Sequence, residues 1–177
     1  MSEKTDKNTP LGQGVRKLKL GDIAPDCEIT ITKERIFDLS SLSRNSVVLD
    51  IGCGQGRNRE VVESAEGYWV GLEPFQGGGE TIQADAMALP FQDDTFDVVV
   101  ADAVLEHIPD PGVAFAEISR VLKADGVFVG YVAFMECFHE ISFCLLSFKA
   151  LEYFSTKNQM KLERLSGGSS FGIDYHT

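Results

Sequence analysis

VVLDIGCGQGR, residues Val47–Arg57, decides how this chain folds. Val47, Val48, Leu49 and Ile51 make the apolar run expected of a strand buried on both faces of a parallel sheet. Asp50 stands at its turn-side end, and Gly52, Gly54 and Gly56 then let the backbone bend sharply and present its N–H groups. A strand running into such a turn puts bare main chain at the carboxyl end of a central strand, where open α/β sheets bind ligands.

The spacing narrows the ligand. A dinucleotide fingerprint, GxGxxG, would put its third glycine at position 57, but that residue is Arg57 and the pattern here is GxGxG. Asp50 precedes the first glycine by two positions, where a pyrophosphate would meet a carboxylate. A cationic ligand is favoured there instead, by a few kcal/mol at most in a partly solvated cleft. S-adenosylmethionine fits, since it carries a sulfonium and an ammonium and no phosphate. From this segment alone a glycine turn with no ligand stays open, while a nicotinamide-linked oxidoreductase is weakened by Arg57 and Asp50.

Working outward, Asn58–Ala65 is helix-compatible and Tyr68–Leu72 reads as a second strand ending at Glu73. An acidic residue about 20 positions beyond the glycines can accept both ribose hydroxyls. Thr81–Asp85 reads as a brief third strand, with Asp85 placed to accept from an exocyclic adenine amine. Thr95–Val100 is an apolar fourth strand running into Ala101 and Asp102. Asp110 and Pro111 then open a helix as N-cap and first-turn residue, and Val113, Phe115, Ala116, Ile118, Val121 and Leu122 give it an apolar stripe. Lys123–Gly126 reads as its stop and Val127–Val132 as the fifth strand.

Four ordered blocks, VVLDIGCGQGR, VGLEP, ADAMALPFQDDTFDVVVADAVLEHIPDP and EISRVLKADGVFV, resemble the class I S-adenosylmethionine-dependent methyltransferases of the type 11 kind over about Ser46–Val132. The resemblance implies a doubly wound, Rossmann-like, mostly parallel α/β sheet. It also implies a site in which Asp50, Gly52, Cys53 and Gly54 hold the methionine part and Glu73 holds the ribose. Asp85 and the Ala86 backbone would bind adenine, and Ala101 and Asp102 would close over the methionine end. Two departures stand out. PFQGGGE, between Glu73 and Thr81, is too short and glycine-rich for the usual crossover helix and reads as a loop. The thinly covered face it leaves is a candidate homo-oligomer contact. At the far end, Ser147–Phe154 reads as a helix and Met160–Leu165 as a sixth strand. The remaining Ser166–Thr177 leaves little for the family's seventh strand.

The rest of the chain bounds function by exclusion. The 177 residues suit one domain, and 44% hydrophobic content is enough for a core. A net charge of −11 argues against gripping nucleic acid, which needs clustered Lys and Arg. Cys27, Cys53, Cys137 and Cys144 show no CxxC spacing, and Met1–Pro10 is too polar for a signal peptide. Free thiols in the cytoplasm are expected. No apolar stretch approaches the ~20 residues a membrane span needs. No HxH, CxxC or HExxH pattern announces a metal site. Residues 1–43 read as a leading segment, disordered by composition over 1–9, with a turn near Gly21–Pro25 and a short helix near Lys33–Leu42. Residues 44–177 read as one cofactor-binding domain, with 133–150 as a lid on the substrate side.

That lid, rich in Phe134, Met135, Phe138, Phe143 and Phe148, suits either an apolar acceptor pocket or ordinary core. His139, beside Glu136 and Glu140, and His107, beside Glu106, are the candidate bases. Methyl transfer needs chiefly in-line positioning and exclusion of water, and a base only where the acceptor must lose a proton. The reading is therefore transfer of a methyl group from S-adenosylmethionine, leaving S-adenosylhomocysteine, to a small, partly apolar molecule. A non-catalytic binding or partner subunit of the same fold is the alternative.

Overall fold

The structure, a computed structural model, describes residues 42–132 and 142–162 with their side chains, and the backbone of 164–166 and 174–176. Two compact units divide the chain, Ile31–Leu165 with Tyr175–Thr177 and Met1–Thr30 with Ser166–Asp174. The sheet and helices below belong to the first. Residues 1–41 of the expected leading segment, and Phe134, Met135, Phe138 and His139 of the expected lid, lie outside the described residues.

Val47–Ile51 forms strand β1, Tyr68–Glu73 β2, Ile82–Gln83 β3, Phe96–Asp102 β4 and Leu122–Tyr131 β5. They make one sheet in the order β3-β2-β1-β4-β5, with every pairing parallel. Arg59–Ser64 forms helix α1, Leu105–His107 a 3-10 turn, Pro111–Val121 α2 and Phe148–Lys157 α3. The alternation of strand and helix is that of a doubly wound α/β sheet.

Strand alternation explains how both faces are filled. Leu49 and Ile51 of β1 and Val99 and Ala101 of β4 point to one face. There they join Phe115, Ile118 and Val121 of α2 and the partly buried Leu151 and Phe154 of α3. Val48, Val98 and Val100 point to the other face, against Val62 of α1 and the partly buried Trp69. Phe115 is the hinge of the larger cluster: it stacks on Phe154 at 5.4 Å and meets Phe128 edge-on at 5.7 Å. Removing so fully buried a ring would cost roughly 3–5 kcal/mol. The α2 start is as its sequence suggests, with the Asp110 carboxylate accepting the Val113 N–H and Pro111 at the first turn. Ser147 caps α3 in the same way, accepting from the Ala150 N–H.

Three boundaries differ from the sequence reading. Lys123–Gly126 does not stop the helix before a fresh strand. Instead β5 begins at Leu122, opposite Phe96, and a register shift brings Val127 opposite Val98. The shift is held because Lys123 Nζ pairs with one oxygen of Asp97 (2.7 Å) while the other accepts the Val47 N–H (2.8 Å). The third strand, Ile82–Gln83, is shorter than Thr81–Asp85, and Asp85 beyond it turns its carboxylate to its own loop. At the far end, Arg164–Ser166 forms β6, which pairs with β7, Asp174–His176, in a two-stranded sheet, while Met160–Leu162 has no strand structure. Pro74–Thr81 carries no helix, as its composition indicates. Among the described residues no helix is long and apolar enough to cross a membrane.

Candidate functional site

Strand order reverses at β1: the chain winds outward through β2 and β3, then returns to the other side of β1 with β4. Between β1 and β4 lies the switch point where open sheets form a crevice at their carboxyl ends. Gly52–Gly56 closes β1 there, Glu73 ends β2, and Ala101 and Asp102 end β4.

The glycine turn is held from beneath and borders open space at Gly54. Gly52, Gly54 and Gly56 all take positive φ, at 65°, 53° and 75°, which L side chains rarely adopt. The Gly52 and Cys53 N–H groups both donate to the Leu72 carbonyl, at 2.8 and 3.2 Å, tying the turn to β2. A Cβ at Gly52 would lie 2.3 Å from a Val104 methyl, so this glycine is required by packing as well as by φ. At Gly54 the same test finds nothing within 4 Å. One glycine is buttressed, and the next faces open space.

The acids divide by surroundings. Asp50 is 1% exposed, and its carboxylate accepts from Trp69 Nε1 at 3.0 Å and from Asn58 Nδ2 at 3.3 Å. Burial pushes its pKa up to about 6; those two donors pull the other way, and the charges of Asp102 and Glu73 push it further up. Burial also raises Asp102, opposed by the positive charge of Arg57. The Glu73 carboxylate reaches the turn directly and accepts the Gly54 N–H at 2.5 Å. Cys53 is buried, and that burial, with the charges of Asp50, Glu73 and Glu80, pushes its thiol up to about 12. It is a packing residue of low nucleophilicity.

The structure thus brings together Asp50, Gly52, Cys53, Gly54, Glu73, Ala101 and Asp102. Asp85 lies beyond β3, exposed, its carboxylate accepting the Met87 N–H at 2.8 Å, and Ala86 beside it is buried. His107 closes the 3-10 turn after β4, half-buried, its backbone N–H on the Val104 carbonyl (2.9 Å). The start of the following segment is drawn alongside, since the Phe143 N–H donates to the Glu106 carbonyl at 2.8 Å. Phe143 and Leu145 are left exposed there.

Residues that sequence reasoning missed are the supports. Trp69 and Asn58 hold Asp50, and Val104 backs Gly52; Glu106, which the sequence set beside His107, is 2% exposed with Oε2 lacking any partner. Trp69 sits on a strand and Asn58 opens a helix, so only tertiary folding makes them neighbours of Asp50.

Comparisons with known proteins place this geometry. The family described as "Methyltransferase domain" matches residues 49–130. An uncharacterized methyltransferase of Mycolicibacterium gilvum is 28% identical over 148 residues, covering 74% of this chain and 58% of that protein. The chain therefore spans little more than half of that relative's length. Among solved structures, the YcgJ protein of Bacillus subtilis superposes with a TM-score of 0.64 at 20% identity, over 73% of this chain and 68% of that one. The [4+2]-cyclase SpnF does so with a TM-score of 0.61 at 22% identity, over 77% and 57%. At such identities the two structures speak for the fold alone.

Proposed function

Residues 49–130 are a class I methyltransferase domain, and from that premise we propose that the crevice binds S-adenosylmethionine and passes its methyl group to a small, partly apolar acceptor. The observation that carries the reading is the meeting of Glu73 with Gly54: it unites the acidic strand end and the glycine turn across 19 positions. Ribose-hydroxyl acceptor and bare main chain stand side by side, as this cofactor requires.

The residues present fit such a ligand. At Gly54 a Cβ would enter open space, leaving main chain for a ligand to lie against. Glu73, Asp102 and the buried Asp50 supply a negative field for a sulfonium and an ammonium. Bound there, S-adenosylmethionine supplies a methyl on an excellent leaving group. Glu73 orients the ribose, and Asp85 with the Ala86 backbone receives the adenine. Ala101 and Asp102 border the methionine end. Asp50 acts from below, keeping the turn in shape through Trp69 and Asn58. Rate then comes from holding acceptor, methyl and sulfur in line and dry.

The acceptor side is carried by the segment entering α3. Phe143 and Leu145 offer exposed apolar surface beside the turn after β4, which suits a partly apolar molecule. His107 on that turn is the described candidate base, and His139 belongs to the same proposal from sequence. Homo-oligomer formation and a cytoplasmic setting remain parts of this reading. The experiment is incubation with methyl-labelled S-adenosylmethionine and a panel of small phenols, amines and carbon acids. Labelled product that disappears in Glu73→Ala supports the proposal, and none from any acceptor class counts against it.

A second reading keeps binding without methyl transfer. SpnF, a [4+2]-cyclase, shares this fold, so the architecture does not dictate the chemistry. Tight binding with no S-adenosylhomocysteine released across the panel would favour it.

A further inference from the structure

The loop that replaces the crossover helix lies across the glycine turn. Its ends are anchored to the sheet. The Gln83 side-chain amide donates to the Pro74 carbonyl at 3.0 Å. At the other end the Thr81 N–H donates to the Gly71 carbonyl (2.9 Å) and Thr81 Oγ1 accepts the Gly71 N–H (3.2 Å). Between these anchors Gly79 donates its N–H to the Gly54 carbonyl at 2.6 Å. Glu80 Oε1 curls back onto the Gly77 N–H at 3.1 Å, and its Oε2 has no partner.

The contact is backbone on backbone. A Cβ at Gly78 would stand 2.5 Å from the Gly54 oxygen, and one at Gly79 would stand 2.7 Å from the Gln55 carbonyl carbon and 2.9 Å from the Gly56 nitrogen. Neither residue has the left-handed φ that would itself call for glycine; Gly77 does, at 111°. Gly78 and Gly79 are glycines because of what they touch. Meanwhile Glu73, which leads into this loop, holds the Gly54 N–H. Both polar groups of Gly54 are taken, and so is the carboxylate assigned to the ribose.

We infer that Pro74–Glu80 is a latch over the ligand crevice, closed in the conformation described. Ligand entry exchanges the Glu73–Gly54 hydrogen bond for one between Glu73 and the ribose hydroxyls, and lifts Gly77–Gly79 off the turn while Pro74 and Thr81 stay anchored. The inference rests on the S-adenosylmethionine reading of the crevice. It assigns the loop a role opposite to that of a fixed wall: its contacts oppose binding.

The sign of a substitution separates the two. Gly78→Ala and Gly79→Ala place a Cβ against main chain only when the loop is down, so they disfavour the closed form. Glu80→Ala removes the tether to Gly77 without adding a clash, and serves if the glycine variants fail to fold. The probe is S-adenosylhomocysteine, with affinity from calorimetry and rates from stopped-flow fluorescence of Trp69. That is the chain's single tryptophan, with its ring 3.4 Å from where a Gly56 Cβ would sit. The latch requires association to quicken and affinity to rise about fivefold, roughly 1 kcal/mol. Unchanged or weaker binding in folded variants overturns it and makes the loop a wall. Binding by the variants with none by the parent chain supports the latch in its strongest form. No binding by parent or variants removes the cofactor reading, and the latch with it.

Discussion

The two ends of the sheet treat their acids in opposite ways. At the amino-terminal end Arg120 grips Glu117 through two parallel hydrogen bonds, at 2.7 and 2.8 Å. It also reaches Asp93 (2.8 Å) and the carbonyls of Phe91 and Leu89. Glu117 is lowered by Arg120, against its burial and with help from the Leu89 N–H. Asp97 is lowered as well: burial raises it, but Lys123 and the Val47 N–H outweigh that. At the carboxyl end the order inverts. Asp50 and Asp102 are both raised, chiefly by burial. One end spends its charges on structure, and the other keeps Asp50 and Asp102 in a costly form that a cationic ligand would relieve.

Substitutions within the glycine turn should break this contrast most visibly. Gly52→Ala adds a methyl against Val104 and strains a positive φ, so stability should fall by about 3 kcal/mol. Gly54→Ala meets only open space and should cost about 1 kcal/mol from φ alone, while blocking the ligand. Chemical denaturation and calorimetry on both would test the pair. Equal destabilisation would erase the distinction drawn between them.

The pH response sharpens it next. A carboxyl raised from 3.8 to about 6 stabilises the fold while protonated, and that contribution is lost as pH rises through the interval. At 1.36 kcal/mol per unit the swing is roughly 3 kcal/mol for Asp50. Asp50→Asn should therefore flatten the stability curve between pH 4 and 7 relative to the parent chain. Glu117 and Asp97, being lowered, act in the other direction, and their contribution is lost as pH falls through the carboxylate range. Parallel curves for parent and Asp50→Asn would contradict the burial argument.

Smaller effects separate stability from binding. Arg120→Ala should lower stability by about 2 kcal/mol, a value set by a guanidinium still one-third exposed, and leave ligand affinity unchanged. Glu73→Ala should do the reverse, weakening cofactor binding by roughly 2 kcal/mol with little change in melting temperature. An Arg120 variant with impaired binding, or a Glu73 variant that melts early, would blur the two ends.

Most of the fold was legible because β1 and β4 carry mostly buried apolar residues, and because Asp110-Pro111 announces α2 so plainly. The glycine turn and Glu73 were legible from spacing alone. Less so were the features that depend on partners distant in sequence. Lys123–Gly126 looked like a helix stop because nothing local reveals that Asp97 fastens Lys123 to the sheet. Asp50 looked like a ligand group facing the crevice, yet its carboxylate turns to Trp69 and Asn58. PFQGGGE read as a loop for want of a helix, while the reason for Gly78 and Gly79 lies in the backbone of Gly54–Gly56 and that for Gly77 in its positive φ.

The central claim is that this crevice is a site for S-adenosylmethionine, and calorimetric titration tests it directly. Micromolar binding of S-adenosylmethionine and S-adenosylhomocysteine, with none of NAD, is the expected result. Binding of NAD, or of neither methyl-donor species, would contradict it.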